Sequence, residues 1–214
     1  MGNDKETKRK LLESAKAEFL EKGYMKASLR SICSKAGVTT GALYFFFKDK
    51  QELFESLVKD IADGMVYIIK QHYAAELLMV GADSSEDAEK IAQNEYSDDL
   101  AVSKMIIHYM YDNRDEFRLL VEKSEGSGFE GYLDSLIDIT QRHVKMYAGE
   151  ITKRTGIKSY SDVITHLVSH IYVDIFVYIF EHVDTQEEAI HAMEDIIRFI
   201  KHDWLVMMEA INKD

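Results

Sequence analysis

The chain of 214 residues contains no proline. Average usage of about 5% would supply roughly ten. Its absence removes rigid proline linkers and the strongest helix breaker, and leaves the turns to Gly, Asn, Asp and Ser. Ten methionines and many Leu, Ile, Glu and Lys favour helix. We therefore expect an all-α fold. The length allows one or two domains and a sizeable core. The single cysteine, Cys33, excludes an internal disulfide and a cysteine-built zinc site. It fits a reducing, cytoplasmic compartment. The opening MGNDKETKRK lacks the apolar stretch of a signal peptide. Glu6 stands where a myristoylation signal wants Ser or Thr. The longest apolar runs, such as 175–180, read as too short to span a bilayer, so no membrane partner is expected.

Charge divides the chain. Overall it is −12, which argues against nucleic acid, but residues 1–50 hold eleven Lys/Arg against six Asp/Glu, and the remainder nets −17. A basic head on an acidic body is what a polyanion-binding head would look like.

Helical periodicity is clear in the head. Leu11, Leu12, Ala15, Phe19 and Leu20 fall three and four apart, with Gly23 as a stop. Ser28 is a good N-cap for a short helix over 29–36, Gly37 ends it, and Thr39 caps a third helix reaching Phe46. Asp49 caps a fourth, which carries Leu53, Phe54, Leu57, Val58, Ile61, Met65 and Ile68 on one face. Residues 79–93 read as a polar loop with a short helix. Further helices are expected near 94–111, 115–123, 132–155, 161–182 and 185–212.

Residues 28–46 have the layout of a helix-turn-helix, with Ile32, Ala36, Val38 and Leu43 directed into the junction and Cys33 small enough for close approach. The start of the second helix, Thr39-Thr40-Gly41-Ala42, is small enough to enter a major groove. The wider stretch 8–58 resembles the DNA-binding domain of TetR-family transcriptional regulators. That family reads Ala-Gly-Val-Ser-x-Gly-x-Leu-Tyr, two residues, then Phe-Lys-x-Lys-Glu-x-Leu. Here AGVTTGALYFFFKDKQELF keeps Gly37, Val38, Gly41, Leu43, Tyr44, Phe47, Lys48, Lys50 and Leu53 at that spacing. Cys33, Phe45, Phe46 and Gln51 depart from it.

The resemblance implies a three-helix DNA-binding domain at 1–50 and a larger helical effector-binding and dimerisation domain at 51–214. It implies a ligand-released repressor acting as a homodimer on a palindromic operator in double-stranded DNA. Ser28, Thr39, Thr40, Gly41, Tyr44, Phe45, Lys48 and Lys50 are the implied DNA-binding residues. Ser28 and Lys48 would meet phosphates beside the amide ends of the second and fourth helices. Gln51 removes an acidic charge near the DNA.

In the body, 161–182 is apolar on two sides: Ile164, Leu167, Val168, Ile171, Ile175 and Ile179 on one, Val173, Val177 and Phe180 on another. One side would face its own domain and one a second subunit, with Trp204, Leu205, Met207 and Met208 of the last helix joining the interface. Met65, Met105, Tyr109, Phe129, Tyr132, His143, Tyr147, His166 and His170 are candidates to line a pocket for an unknown small-molecule effector, neutral or cationic given the acidic body. They also have the composition of an ordinary helical core. Asp162, His166, His170 and Asp174, each four apart, form a polar stripe for which a structural role outweighs a metal. No catalytic set, cofactor loop or metal site is expected, so the chain reads as no enzyme. The alternative reading is a helical ligand-binding or interaction protein with a non-functional DNA head.

Overall fold

The computed structural model describes the backbone of residues 2–82, 88–156 and 161–211, with side chains for 4–80, 98–153 and 161–200. The described residues form nine α-helices and no strand: α1 Gly2–Lys26, α2 Leu29–Ala36, α3 Thr40–Phe46, α4 Lys50–Ala82, α5 Ala88–Asp112, α6 Arg114–Glu122, α7 Tyr132–Thr155, α8 Asp162–His182 and α9 Gln186–Ile211. The polar segment at 79–93 thus carries the end of α4 and the start of α5. Residues 83–87, where the loop was expected, lie outside the described residues. The last side chains of the expected interface, from Trp204 onward, lie outside the described residues.

Two compact units emerge. The first joins Met1–Tyr67 to Asn113–Leu136, and the second joins Ile68–Asp112 to Ile137–Asp214. A division after residue 50 would fall inside the first unit. The reason is packing. Leu53, Phe54 and Val58 of α4 are fully buried, and the Phe54 ring meets Phe19 and Tyr24 edge-on at 5.0 and 5.2 Å. On α6, Glu116 takes a 3.0 Å hydrogen bond from Lys16, and just beyond its end the Lys123 carbonyl accepts the Tyr24 amide at 2.8 Å.

The sequence signals at the helix ends hold. Ser28 Oγ accepts from the Ser31 amide, and Thr39 Oγ1 from the Ala42 amide at 3.2 Å. Gly37 adopts φ 69°, ψ 32°, left-handed space that a side chain would strain. Gly23, φ 73°, breaks α1 three residues before its end.

Beneath the junction lies Glu18, fully buried. Its carboxylate accepts from Lys22 at 2.7 Å, from Lys35 and the Ser31 hydroxyl at 2.8 Å each, and from the Ser28 amide at 3.4 Å. Burial opposes its charge, but the donors from Lys22, Lys35, Ser31 and Ser28 outweigh it and hold the carboxyl down at about 2.

In the second unit, Ile107 of α5, Ile179 of α8, and Ala189 and Met193 of α9 form the core cluster. The Tyr111 hydroxyl donates to the Val183 carbonyl at 2.7 Å. α8 divides differently from its sequence pattern. Its buried side is Thr165, Ser169, Val173, Ile179 and Phe180. Ile179 therefore faces inward rather than sharing the outer face. Val163, Ile164, Leu167, Ile171, Tyr172 and Tyr178 remain exposed. By length and composition α8 also passes as a membrane span, contrary to the reading from its apolar runs alone.

Glu18→Gln should destabilise the protein by about 1–3 kcal/mol near neutral pH, since it removes charge-assisted bonds inside the fold. The folded-state carboxyl sits below its ordinary value of 4.5. Its contribution is therefore complete above that value and fades as pH falls toward about 2. Urea melts of both proteins should converge over that window.

Candidate nucleic-acid interface

α2 and α3 are locked by short-range chemistry. Val38 N bonds the Cys33 carbonyl at 3.0 Å across the turn, and Ile32, Cys33 and Leu43 are buried at the junction. The Ser14 hydroxyl donates to the Ile32 carbonyl at 2.8 Å and ties α1 to α2. One face is left to solvent. Ser28, Thr39, Thr40, Gly41, Tyr44, Phe45 and Lys48 are all exposed, Tyr44 at 57% and Phe45 at 76%. An exposed aromatic pair on a short, rigidly capped helix is a surface suited to contact something else.

Lys50 is placed otherwise than expected. Its ammonium turns inward and donates to the carbonyls of Tyr24 at 2.7 Å, Met25 at 3.2 Å and Ala27 at 3.4 Å. It also lies 4.4 Å from the centre of the Tyr24 ring. Burial pushes its pKa down from the ordinary lysine value. Lys50 therefore ties α4 to the last turn of α1.

The N-terminus of α4 is also occupied. Asp49 Oδ1 accepts the Glu52 amide at 2.8 Å, and Glu52 Oε2 accepts the Lys48 amide at 2.6 Å. This reciprocal cap uses amides that a phosphate would need, and adds two negative charges. Lys48 keeps an exposed side chain, but it lacks the open helix end that the sequence suggested. Gln51 has a structural role too: its side-chain oxygen accepts the Gly128 amide at 2.9 Å. In the N-terminal arm, Arg9 pairs with Glu6 and Glu13, and Lys8 lies 5.6 Å from the Phe47 ring centre.

The nine candidate effector residues do not gather around one cavity among the described residues. Met65, Phe129 and Tyr132 belong to the first unit, where Met65 and Tyr132 are buried. In the second unit, Met105 faces outward, 48% exposed, and Tyr109 is half-buried. His166 and His170 touch each other at 4.7 Å along α8. Their stripe-mates are engaged locally, with Asp162 2.9 Å from Lys145 and Asp174 3.9 Å from His170. His143 and Tyr147 do come together, ring centres 5.9 Å apart. Beside Tyr147 lies a cavity of about 20 Å³ bounded by Glu76, Met79, Val80, Asp98 and Asp99. A shallow groove of about 370 Å³ runs along Leu77, Lys145, Met146, Gly149, Glu150 and Lys153.

His72, Glu76 and Asp99, which border or adjoin this cavity, were not singled out by sequence. The signal available was an i, i+4 His–Glu pair on α4. Burial pushes the His72 pKa down against the pull of Glu76. Burial likewise drives the Tyr73 hydroxyl up to about 12.

A capped helix-turn-helix with a solvent-facing second helix has the geometry of a head that could enter a groove. The model for bacterial regulatory proteins of the tetR family matches residues 11–57. The HTH-type transcriptional repressor BepR of Brucella suis biovar 1 (strain 1330) is 43% identical over 53 residues, 25% of each chain. The match therefore spans about a quarter of that relative's length. Beyond the head, likeness is in fold. The TetR-family transcriptional regulator PfmR from Thermus thermophilus aligns over 87% of this chain and 96% of its own, at TM-score 0.56 and 18% identity. NalD, the secondary repressor of the MexAB-OprM multidrug efflux pump in Pseudomonas aeruginosa, aligns over 92% and 97%, at TM-score 0.55 and 17% identity.

Lys50→Met should cost about 1–3 kcal/mol, because it strips the donor from part-buried carbonyls. The salt dependence of duplex binding by the folded fraction should stay unchanged. Thermal melts read the first effect, and anisotropy titrations at several salt concentrations read the second.

Proposed function

We propose that the chain is a transcriptional repressor that binds a palindromic operator as a homodimer and is released by a small-molecule effector. The observation that carries this reading is the exposed face of Thr39, Thr40, Gly41, Tyr44, Phe45 and Lys48, presented by a helix whose other side is buried. Thr39 accepts the Ala42 amide with one lone pair of its hydroxyl oxygen, which leaves its O–H to donate. Thr40 and Gly41 would approach base edges, Tyr44 and Ser28 would donate to phosphates, and Lys48 would supply charge. Phe45, where hydrogen-bonding residues are common in this pattern, would meet a thymine methyl. Lys50 leaves this set. A cytoplasmic, non-catalytic protein fits the reading, as does the company of regulators it resembles.

The outer face of α8 supports the homodimer. Ile164, Leu167 and Ile171 are each more than 40% exposed on one stripe. A second copy laid along them would cover apolar surface that water otherwise contacts. A helix shielded by its own twin also explains why α8 has the composition of a membrane span. For the effector, the net charge of −17 over residues 51–214 favours a cation or a neutral molecule over an anion. The alternative, a helical binding protein with an inactive DNA head, draws no support from the intact, capped and exposed recognition helix.

Duplex affinity should fall linearly with log salt, by about 0.9 per phosphate neutralised. Lys48→Ala should flatten that slope by about one contact and weaken all sequences alike, whereas Thr40→Ala and Phe45→Ala should change which palindromes are preferred. Anisotropy against a palindrome library measures both, and no duplex binding at low salt would refute the proposal. Ile171→Asp should yield folded monomers in light scattering, because the site is exposed in a single copy and buried in a dimer. Wild-type protein that is already monomeric would remove the dimer face.

A further inference from the structure

α4, α5 and α7 bring unlike donors to one spot in the second unit. His72 and Glu76 stand one turn apart on α4. The His72 Nε2 atom lies 3.5 Å from Glu76 Oε2 and 3.6 Å from Asp99 Oδ1 of α5. From α7, His143 Nε2 reaches the same Glu76 oxygen at 2.8 Å. One donor atom each from His72, Glu76 and Asp99 lies within 4.8 Å of the others. An ion with bonds of about 2.0–2.2 Å holds tetrahedral ligand atoms roughly 3.3–3.6 Å apart. The two His72 separations already have that spacing, and the Glu76–Asp99 pair, within 4.8 Å, would have to close by no more than about 1.5 Å.

The surroundings fit a coordination site better than a plain ion-pair cluster. His143 and His72 keep 9% and 15% of their side chains exposed, and Glu76 21%. Tyr73 lies flat on His143, ring centres 3.8 Å apart and 1° from parallel, and its hydroxyl donates to Thr140 at 3.0 Å. The imidazole is thereby fixed in orientation from outside, as supporting residues do around metals. His143 Nδ1 is buried with no hydrogen-bond partner, so the ring's polar link to the protein is through Nε2. The cavity of about 20 Å³ along Glu76, Asp98 and Asp99 has room for about one water to complete a shell.

We propose that His72, Glu76 and Asp99 form a site for one divalent first-row transition-metal ion of the Zn²⁺ or Ni²⁺ kind, with His143 holding the Glu76 carboxylate through its 2.8 Å contact. The His72 imidazole favours such ions over Mg²⁺ and Ca²⁺, which prefer all-oxygen shells. The site is separate from the His166/His170 stripe of α8. It rests on side-chain geometry alone and holds whether or not the chain binds DNA.

The test uses the full-length chain without an affinity tag, stripped with a chelator and titrated with Zn²⁺, Ni²⁺ and Co²⁺. Dialysis with metal analysis should give one ion per chain, and Zn²⁺ should raise the melting temperature. Co²⁺ should show the visible absorption of a four- or five-coordinate ion. His72→Ala and Asp99→Asn should each weaken binding at least about tenfold. The Asp99 variant is the safer one for folding, since that side chain is 43% exposed, and its metal-free circular dichroism should match wild type. The His166→Ala/His170→Ala double variant should bind as wild type does. Absence of stoichiometric Zn²⁺ or Ni²⁺ binding would overturn the site. Preference for Mg²⁺, undiminished binding in both the His72→Ala and Asp99→Asn variants, or loss of binding in the α8 double variant would do so equally.

Discussion

Burying a carboxylate beneath two helices is costly unless donors surround it, and Glu18 collects four of them from three directions. Lys22 comes from its own helix, Ser28 and Ser31 from the start of α2, and Lys35 from near its end. The carboxylate thus grips both ends of α2 and sets its angle to α1. Since α3 follows α2 through a turn of fixed hand at Gly37, the orientation of the exposed recognition face descends from this buried charge. Lys50 mirrors the device with opposite sign. A cation bound to the carbonyls of Tyr24, Met25 and Ala27 anchors α4 where α1 breaks at Gly23.

These two devices change which cations of the head are free. The formal excess of cations over residues 1–50 includes Lys22, Lys35 and Lys50, whose partners lie inside the protein. Arg9 is likewise balanced by Glu6 and Glu13. The sum of +5 already subtracts Glu6, Glu13 and Glu18, so these pairs leave it unchanged; what they reduce is the number of cations free to turn toward a polyanion. That fits a face richer in Thr and aromatic residues than in Arg.

The helix-turn-helix was legible because its signals act between near neighbours. Ser28, Thr39 and Asp49 cap helices within three residues of themselves, and Gly37 sits where left-handed backbone is needed. What failed to show in sequence depends on distant groups. Nothing near Lys50 in the chain indicates that carbonyls more than twenty residues earlier will claim its ammonium. Spacing alone puts Ile179 on the wrong side of α8, because three- and four-residue steps admit two apolar stripes. Small Thr165 and Ser169, not the large residues, mark the buried one. Residue type suggests the effector candidates, and it says which side chains suit a cavity and nothing of where the helices leave one. His72, Glu76 and Asp99 escape a reading of the sequence because they are spread over two helices and become neighbours only through packing.

Cys33 is buried at the α2–α3 junction, and burial raises its thiol pKa, so little reactive thiolate is present near neutral pH. It is also the only cysteine in the chain. The protein is therefore a quiet background for engineered thiols. A cysteine introduced on an exposed surface would take a fluorophore or spin label without competition from the native sulfur. Distances between labelled positions could then be followed in solution without first deleting the residue that fills the junction.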